Sequence, residues 1–166
     1  MGIMEQLALF EQQELPQPKK LISERWQLYV DGASRNNPGL SGAGIYLLKN
    51  NSAVVKQGFF LGIKTNNQAE YLALLLGLFL AQRHMESSDI LLVNSDSELM
   101  VKQLQGHYSI KNPELRRLYD CAMERLQGLT YTIRHVLRKD NAIADKLANV
   151  GIDKRLPVPQ EFLHLC

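Results

Sequence analysis

Four carboxylates, Asp31, Glu70, Asp96 and Asp145, bound the chemistry open to this chain. They stand in Val30-Asp31-Gly32, Gln68-Ala69-Glu70, Ser95-Asp96-Ser97 and Ala144-Asp145, each at the expected end of a strand or within a helix. Sites in α/β proteins gather at the carboxyl ends of parallel strands, so these side chains can converge there. Clustered carboxylates repel one another unless a cation neutralises them, and oxygen donors suit Mg²⁺ or Mn²⁺.

Singly, each residue also has a purely structural role open to it. Glu70 could close a capping box that begins at Asn67. Asp96 could cap the helix it precedes, and Asp31-Gly32 could be turn chemistry. Asp145 lies about 200° round a helix from Ile143 and Leu147, so it could simply face solvent.

The elements that must position these groups follow from periodicity. Trp26–Ala33, Gly42–Leu48 and Ala53–Leu61 read as three strands with short connections, the first marked by Asn36-Asn37-Pro38-Gly39, and imply an antiparallel meander. Glu70–Arg83 is apolar nearly all round and reads as a buried helix. Ile90–Val93 is continuously apolar, as a central parallel strand is. Ser97–Leu104 and Pro113–Leu126 read as helices, with Pro113 near a helix start. Leu129–Leu137 reads as a fifth strand, and Ala142–Val150 as a last helix stopped by Gly151. The order βββαβααβα implies an α/β fold whose mixed five-stranded sheet is flanked by helices.

The chain has 166 residues, 45% apolar and 22% charged, which suits one domain with a real core. A formal charge of +2 leaves any grip on nucleic acid to local clusters of cations. Cys121 and Cys166 lie far apart and make neither a metal spacing nor a disulfide framework, so a reducing cytoplasm is the expected setting. No apolar run approaches the roughly 20 residues of a membrane span. The first residues lack the basic and apolar regions of a secretory signal.

An ordered set of motifs carries a family resemblance. Tyr29-Val30-Asp31-Gly32-Ala33-Ser34, Asn37-Pro38-Gly39, Gly42-Ala43-Gly44, Thr65-Asn66-Asn67-Gln68-Ala69-Glu70, Ser95-Asp96-Ser97 and Ala144-Asp145-x-Leu147-Ala148 closely resemble type 1 ribonuclease H, from about residue 26 to 151. The resemblance implies the ribonuclease H-like fold, with three antiparallel and two parallel strands. It implies an endonuclease that hydrolyses the RNA strand of RNA–DNA hybrids and leaves 5′-phosphate products. It further implies that Asp31, Glu70, Asp96 and Asp145 hold two Mg²⁺ ions, with Mn²⁺ as substitute. Substrate contacts fall to Gly32, Ser34, Asn66, Asn67 and Ser97, while Asn37 and Thr65 match a pocket for a phosphate of the DNA strand. Recognition of RNA rests on the 2′-hydroxyl. A non-catalytic nucleic-acid-binding module and a DNA-processing nuclease are the other functions such a fold can host.

The chain departs from many bacterial members in two places. The loop Arg138-Lys139-Asp140-Asn141 holds no histidine, which resembles the branch lacking it and implies either slower turnover or a partial substitute in Arg138. His135 alternates with Ile133 and Leu137 and is expected to pack. The connection Gln103–Pro113 is too short for a basic hybrid-binding handle. These readings divide the chain into an N-terminal tail (1–24), a ribonuclease H domain (25–151) and a C-terminal surface tail (152–166), expected to be monomeric. In the first tail, Gln6-Leu7-Ala8-Leu9-Phe10 resembles the pentapeptide by which bacterial replication proteins dock on the sliding clamp. Gln6 would supply hydrogen bonds while Leu7, Leu9 and Phe10 supply apolar contacts. Such docking would link the nuclease to DNA replication.

Overall fold

A computed structural model describes residues 22–166, so the peptide Gln6–Phe10 lies outside the described residues. The meander consists of β1 (Arg25–Ser34), β2 (Gly39–Lys49) and β3 (Ser52–Lys64). Helix α1 (Asn66–Gln82) leads to β4 (Ile90–Ser95), α2 (Glu98–Leu104), α3 (Pro113–Leu126) and β5 (Thr130–His135). A 3₁₀ turn (Arg138–Asn141) runs into α4 (Ala142–Asp153), and a second one (Gln160–His164) closes the chain. The sheet order is β3-β2-β1-β4-β5. The first three strands pair antiparallel, and β4 lies parallel to β1 and to β5. The mixed sheet expected from the residue pattern is the one observed.

Alternation along β1 divides the molecule into layers. Leu28 and Val30 are fully buried and face Gly77 of α1, where an added Cβ would touch both side chains. Gln27, Tyr29 and Asp31 take the opposite face, because successive side chains of a strand alternate. That face receives α4, which lies over β2 and β3. The helix sits so low that a Cβ on Gly44 would fall 1.8 Å from the Ala144 carbonyl oxygen, and one on Gly58 2.1 Å from that of Leu147. Glycine there is a requirement of close approach rather than of turn geometry.

Three expectations are corrected. Helix α1 starts at Asn66, four residues before the expected start at Glu70, because Thr65 and Gln68 form a capping box ahead of it. Cys121 and Cys166 form a disulfide with their Cα atoms 6.0 Å apart, because the chain after α4 runs back to α3. For the same reason residues 152–166 are not a loose surface tail. Phe162 is buried with its ring 6.1 Å from that of Phe79, and the Phe60 amide donates to the Leu156 carbonyl.

Candidate active site

Strands β1 and β4 run parallel, so their carboxyl ends deliver Asp31 and, just beyond Ser95, Asp96 to the same edge. Glu70 arrives from the first turns of α1. Its Oε2 accepts a hydrogen bond from the Gly32 amide at 3.1 Å. A Cβ on Gly32 would lie 2.1 Å from the Ala69 carbonyl carbon, so the missing side chain is what lets α1 come this close. One carboxylate oxygen each from Asp31, Glu70 and Asp96 lies within 4.8 Å of the others. Asp145 lines the same cleft, of about 620 Å³, but stands outside that tight group of three.

Burial and mutual repulsion govern the electrostatics. Asp31 is only 5% exposed, and loss of solvent, reinforced by Asp96 and Asp145, pushes its pKa up to about 8. Glu70 is raised well above the ordinary carboxylate range, by burial first and then by Asp31 and Asp96. Arg138 opposes both trends, and the Gly32 hydrogen bond opposes that at Glu70, only in part. Three oxygen donors, mutually repelling and short of compensating cations, fit a divalent metal ion.

Gly32, Ser34, Asn66, Asn67, Ser97 and Arg138 all line the cleft. A chain of hydrogen bonds fixes its floor: the Ser34 amide donates to Asn66 Oδ1 at 3.1 Å, and the Asn66 amide to Asn37 Oδ1 at 2.9 Å. Asn37 and Thr65 stand behind this floor rather than on the cleft wall. Thr65 Oγ1 accepts from the Gln68 amide as helix cap. Asp96 does not cap α2; Ser97 does, accepting from the Met100 amide at 3.3 Å.

His135 corrects the expectation of a packed side chain. It is exposed, lines the cleft, and places a ring nitrogen 3.2 Å from the Asp96 carbonyl oxygen. Strand β5 ends at this residue, so alternation with Leu137 no longer applies. The signal was available in the polar run Arg138-Lys139-Asp140-Asn141 that follows so soon. Asn141 also escaped notice; it is 1% exposed and its Nδ2 donates to the Val30 carbonyl, tying the entry of α4 to β1.

Comparison with known proteins gives one consistent answer. The family described as reverse transcriptase-like matches residues 29–151. Ribonuclease HI of Halobacterium salinarum is 40% identical over 131 residues, which cover 78% of this chain and 65% of that protein. The bifunctional protein Rv2228c of Mycobacterium tuberculosis is 35% identical over 75% of this chain and 34% of its own length. The chain thus spans less than two thirds of these relatives. Among solved structures, RNase H1 of H. salinarum superposes with a TM-score of 0.74 at 39% identity, covering 78% of this chain and 98% of that one. LC11-RNase H1 in complex with an RNA/DNA hybrid gives 0.71 at 33% identity, over 78% and 97%.

Proposed function

We propose that this chain, which belongs to the type 1 ribonuclease H family, is an endonuclease that hydrolyses the RNA strand of RNA–DNA hybrids and leaves 5′-phosphate ends. The observation that carries the reading is the convergence of Asp31, Glu70 and Asp96 within 4.8 Å, in a cleft that also holds Asp145. In this reading the four carboxylates hold two Mg²⁺ ions, or Mn²⁺ in their place. Bound there, the ions supply an activated water and a charge sink for the phosphate in the transition state.

The remaining work falls to protein groups. The Gly32 amide holds Glu70 in place, so this carboxylate need not be reorganised when substrate arrives. Ser34, Asn66, Asn67 and Ser97 offer the hydroxyl and amide groups that can bond ribose oxygens along the cleft wall. Arg138 faces the same space and offers a cation to the phosphate or to the product. Asn37 and Thr65, already joined to the cleft floor, form a rigid support on which a DNA phosphate can rest. We further propose that the protein is a monomer, and that Gln6, Leu7, Leu9 and Phe10 dock on a bacterial sliding clamp. Among the described residues, no helix is long and apolar enough to cross a membrane.

The decisive experiment offers purified protein an end-labelled RNA–DNA hybrid, double-stranded RNA and double-stranded DNA, each with Mg²⁺ or Mn²⁺. Selective cutting of the hybrid, lost in Asp96→Asn, is the expected result. No cleavage with either metal refutes the nuclease, and preferential cutting of DNA refutes the substrate.

A further inference from the structure

A row of side chains behind the acidic cluster has no part in the function above. Strand register places Tyr46, Tyr29, Asn94 and Arg134 directly beside one another across β2, β1, β4 and β5. All four share the sheet face that carries Asp31, two residues further along β1, or roughly 7 Å away at the rise of a strand. The tyrosine rings lie 5.9 Å apart at 37°, and Arg134 Nε donates to Asn94 Oδ1 at 2.6 Å. Helix α4 covers β2 and β3, and beside it Tyr29 and Tyr46 are half-buried, Asn94 is buried and Arg134 is exposed.

Two cavities lie over the row and lead away from the acidic cleft. One shares His135 and Leu137 with the cleft and extends to Arg134 and Tyr29. The other shares Tyr29 and Asp140 with it and ends between Tyr46, Leu48, Gln27 and Ile143, with a volume of about 300 Å³. Asn141 lines this end pocket, and its buried Oδ1 lacks a hydrogen-bond partner among the described residues. Aromatic rings, a guanidinium group and amides around a flat pocket make the chemistry that holds an unpaired nucleotide. Bases stack on the rings, and amino groups reach the acceptors.

We propose that this sheet face is a stacking platform for an unpaired nucleotide of the RNA strand, continuous with the cleft that holds the paired part. The ring of Tyr46 forms its floor, Arg134 meets a phosphate on the way in, and the exposed Asp140 carboxylate favours a base with an amino group. The inference rests on the hybrid-cutting reading and adds a preference for hybrids whose RNA runs on past the duplex.

The test uses short hybrids that are blunt or carry three unpaired RNA nucleotides at the 5′ or the 3′ end. Binding is followed by fluorescence anisotropy on the Asp96→Asn background, and cleavage with the unmutated protein. One of the two extensions is expected to tighten binding about tenfold, within the range that stacking one base on an aromatic ring gives. Tyr46→Ala should abolish the gain, Tyr46→Phe should keep it, and both should cut blunt hybrid normally. If blunt hybrid is cut but neither extension helps, or the gain survives Tyr46→Ala, the platform is refuted and the nuclease stands. If blunt hybrid is neither bound nor cut, both readings fall together.

Discussion

Gly32 and Glu70 are joined twice: the amide of one donates to the carboxylate of the other at 3.1 Å, and the backbones touch where a side chain would be. The helix that carries this half-buried glutamate is therefore held against the strand that carries Asp31. Gly32→Ala should push α1 away, destabilise the fold by about 1–3 kcal/mol as overpacking does, and loosen the metal site. Thermal unfolding and Mn²⁺ titration by electron paramagnetic resonance check the two effects separately. A variant of unchanged stability and affinity would show that the contact is incidental.

The raised carboxylates make metal binding depend on pH. Protonated Asp31 cannot bind a cation, so binding releases a proton below its pKa of about 8. Affinity should rise roughly tenfold per pH unit up to that value if one proton leaves, and then level off. The metal-free fold should show the opposite trend. A carboxyl whose folded pKa lies above its unfolded one keeps more protons folded, so stability falls as pH rises from about 4 towards 8. Calorimetry in buffers of differing ionisation enthalpy counts the protons, and melting curves with and without Mg²⁺ read the stability.

Asp145 should differ from its three companions. Asp31→Asn, Glu70→Gln and Asp96→Asn each remove an oxygen from the tight group and should weaken metal binding by more than the roughly 100-fold an outer-shell loss costs. Asp145→Asn should weaken it less, while still slowing cleavage. Isothermal titration of all four variants with Mn²⁺ decides, and equal losses would place Asp145 on a par with the rest.

Asp89 anchors the far end of the sheet. Its carboxylate accepts from the Glu24 amide at 3.0 Å, the Glu86 amide at 2.9 Å and the Trp26 indole at 2.9 Å. Burial alone would raise its pKa, but these donors hold it below the ordinary value. The stability it adds is present above the unfolded pKa and is lost as pH falls through the folded one. Asp89→Ala leaves three donors unpaired and should cost at least the roughly 1–3 kcal/mol of one unsatisfied buried group. Urea unfolding at neutral and acid pH measures both, and the gap between variant and parent should narrow in acid.

The Cys121–Cys166 bridge ties ends 45 residues apart. Cys166→Ser should lower stability by about 2–4 kcal/mol under oxidising conditions. Under reducing conditions the two proteins should melt together, which a pair of scans with and without dithiothreitol would show.

The acidic group was legible in the residues because strand ends announce themselves. Asp31 precedes a glycine, and Asp96 follows a short, wholly apolar strand. What escaped depends on contacts distant in sequence. Alternation with Ile133 and Leu137 puts His135 on a packed face, but β5 ends at this residue and the pattern stops there. The true start of α1 is hidden because the polar Asn66-Asn67-Gln68 turn carries no apolar signal, and Thr65 with Gln68 shows itself as the cap only once folded. Nothing local marks Cys166 as the partner of Cys121, since the return of the last segment to α3 brings them together. Gly44 and Gly58 read as ordinary small residues until α4 is laid over them.

Those two glycines limit how this site can be altered. At Gly44 and Gly58 helix α4 rests on bare main chain, so neither position offers a side chain to trim that would move the helix by a fraction of an ångström. The distance from Asp145 to the other carboxylates is consequently a property of the scaffold. Substitutions that adjust metal spacing must act through the length of the acidic side chain itself, as Asp145→Glu would, and libraries aimed at the seam should return mostly unfolded protein.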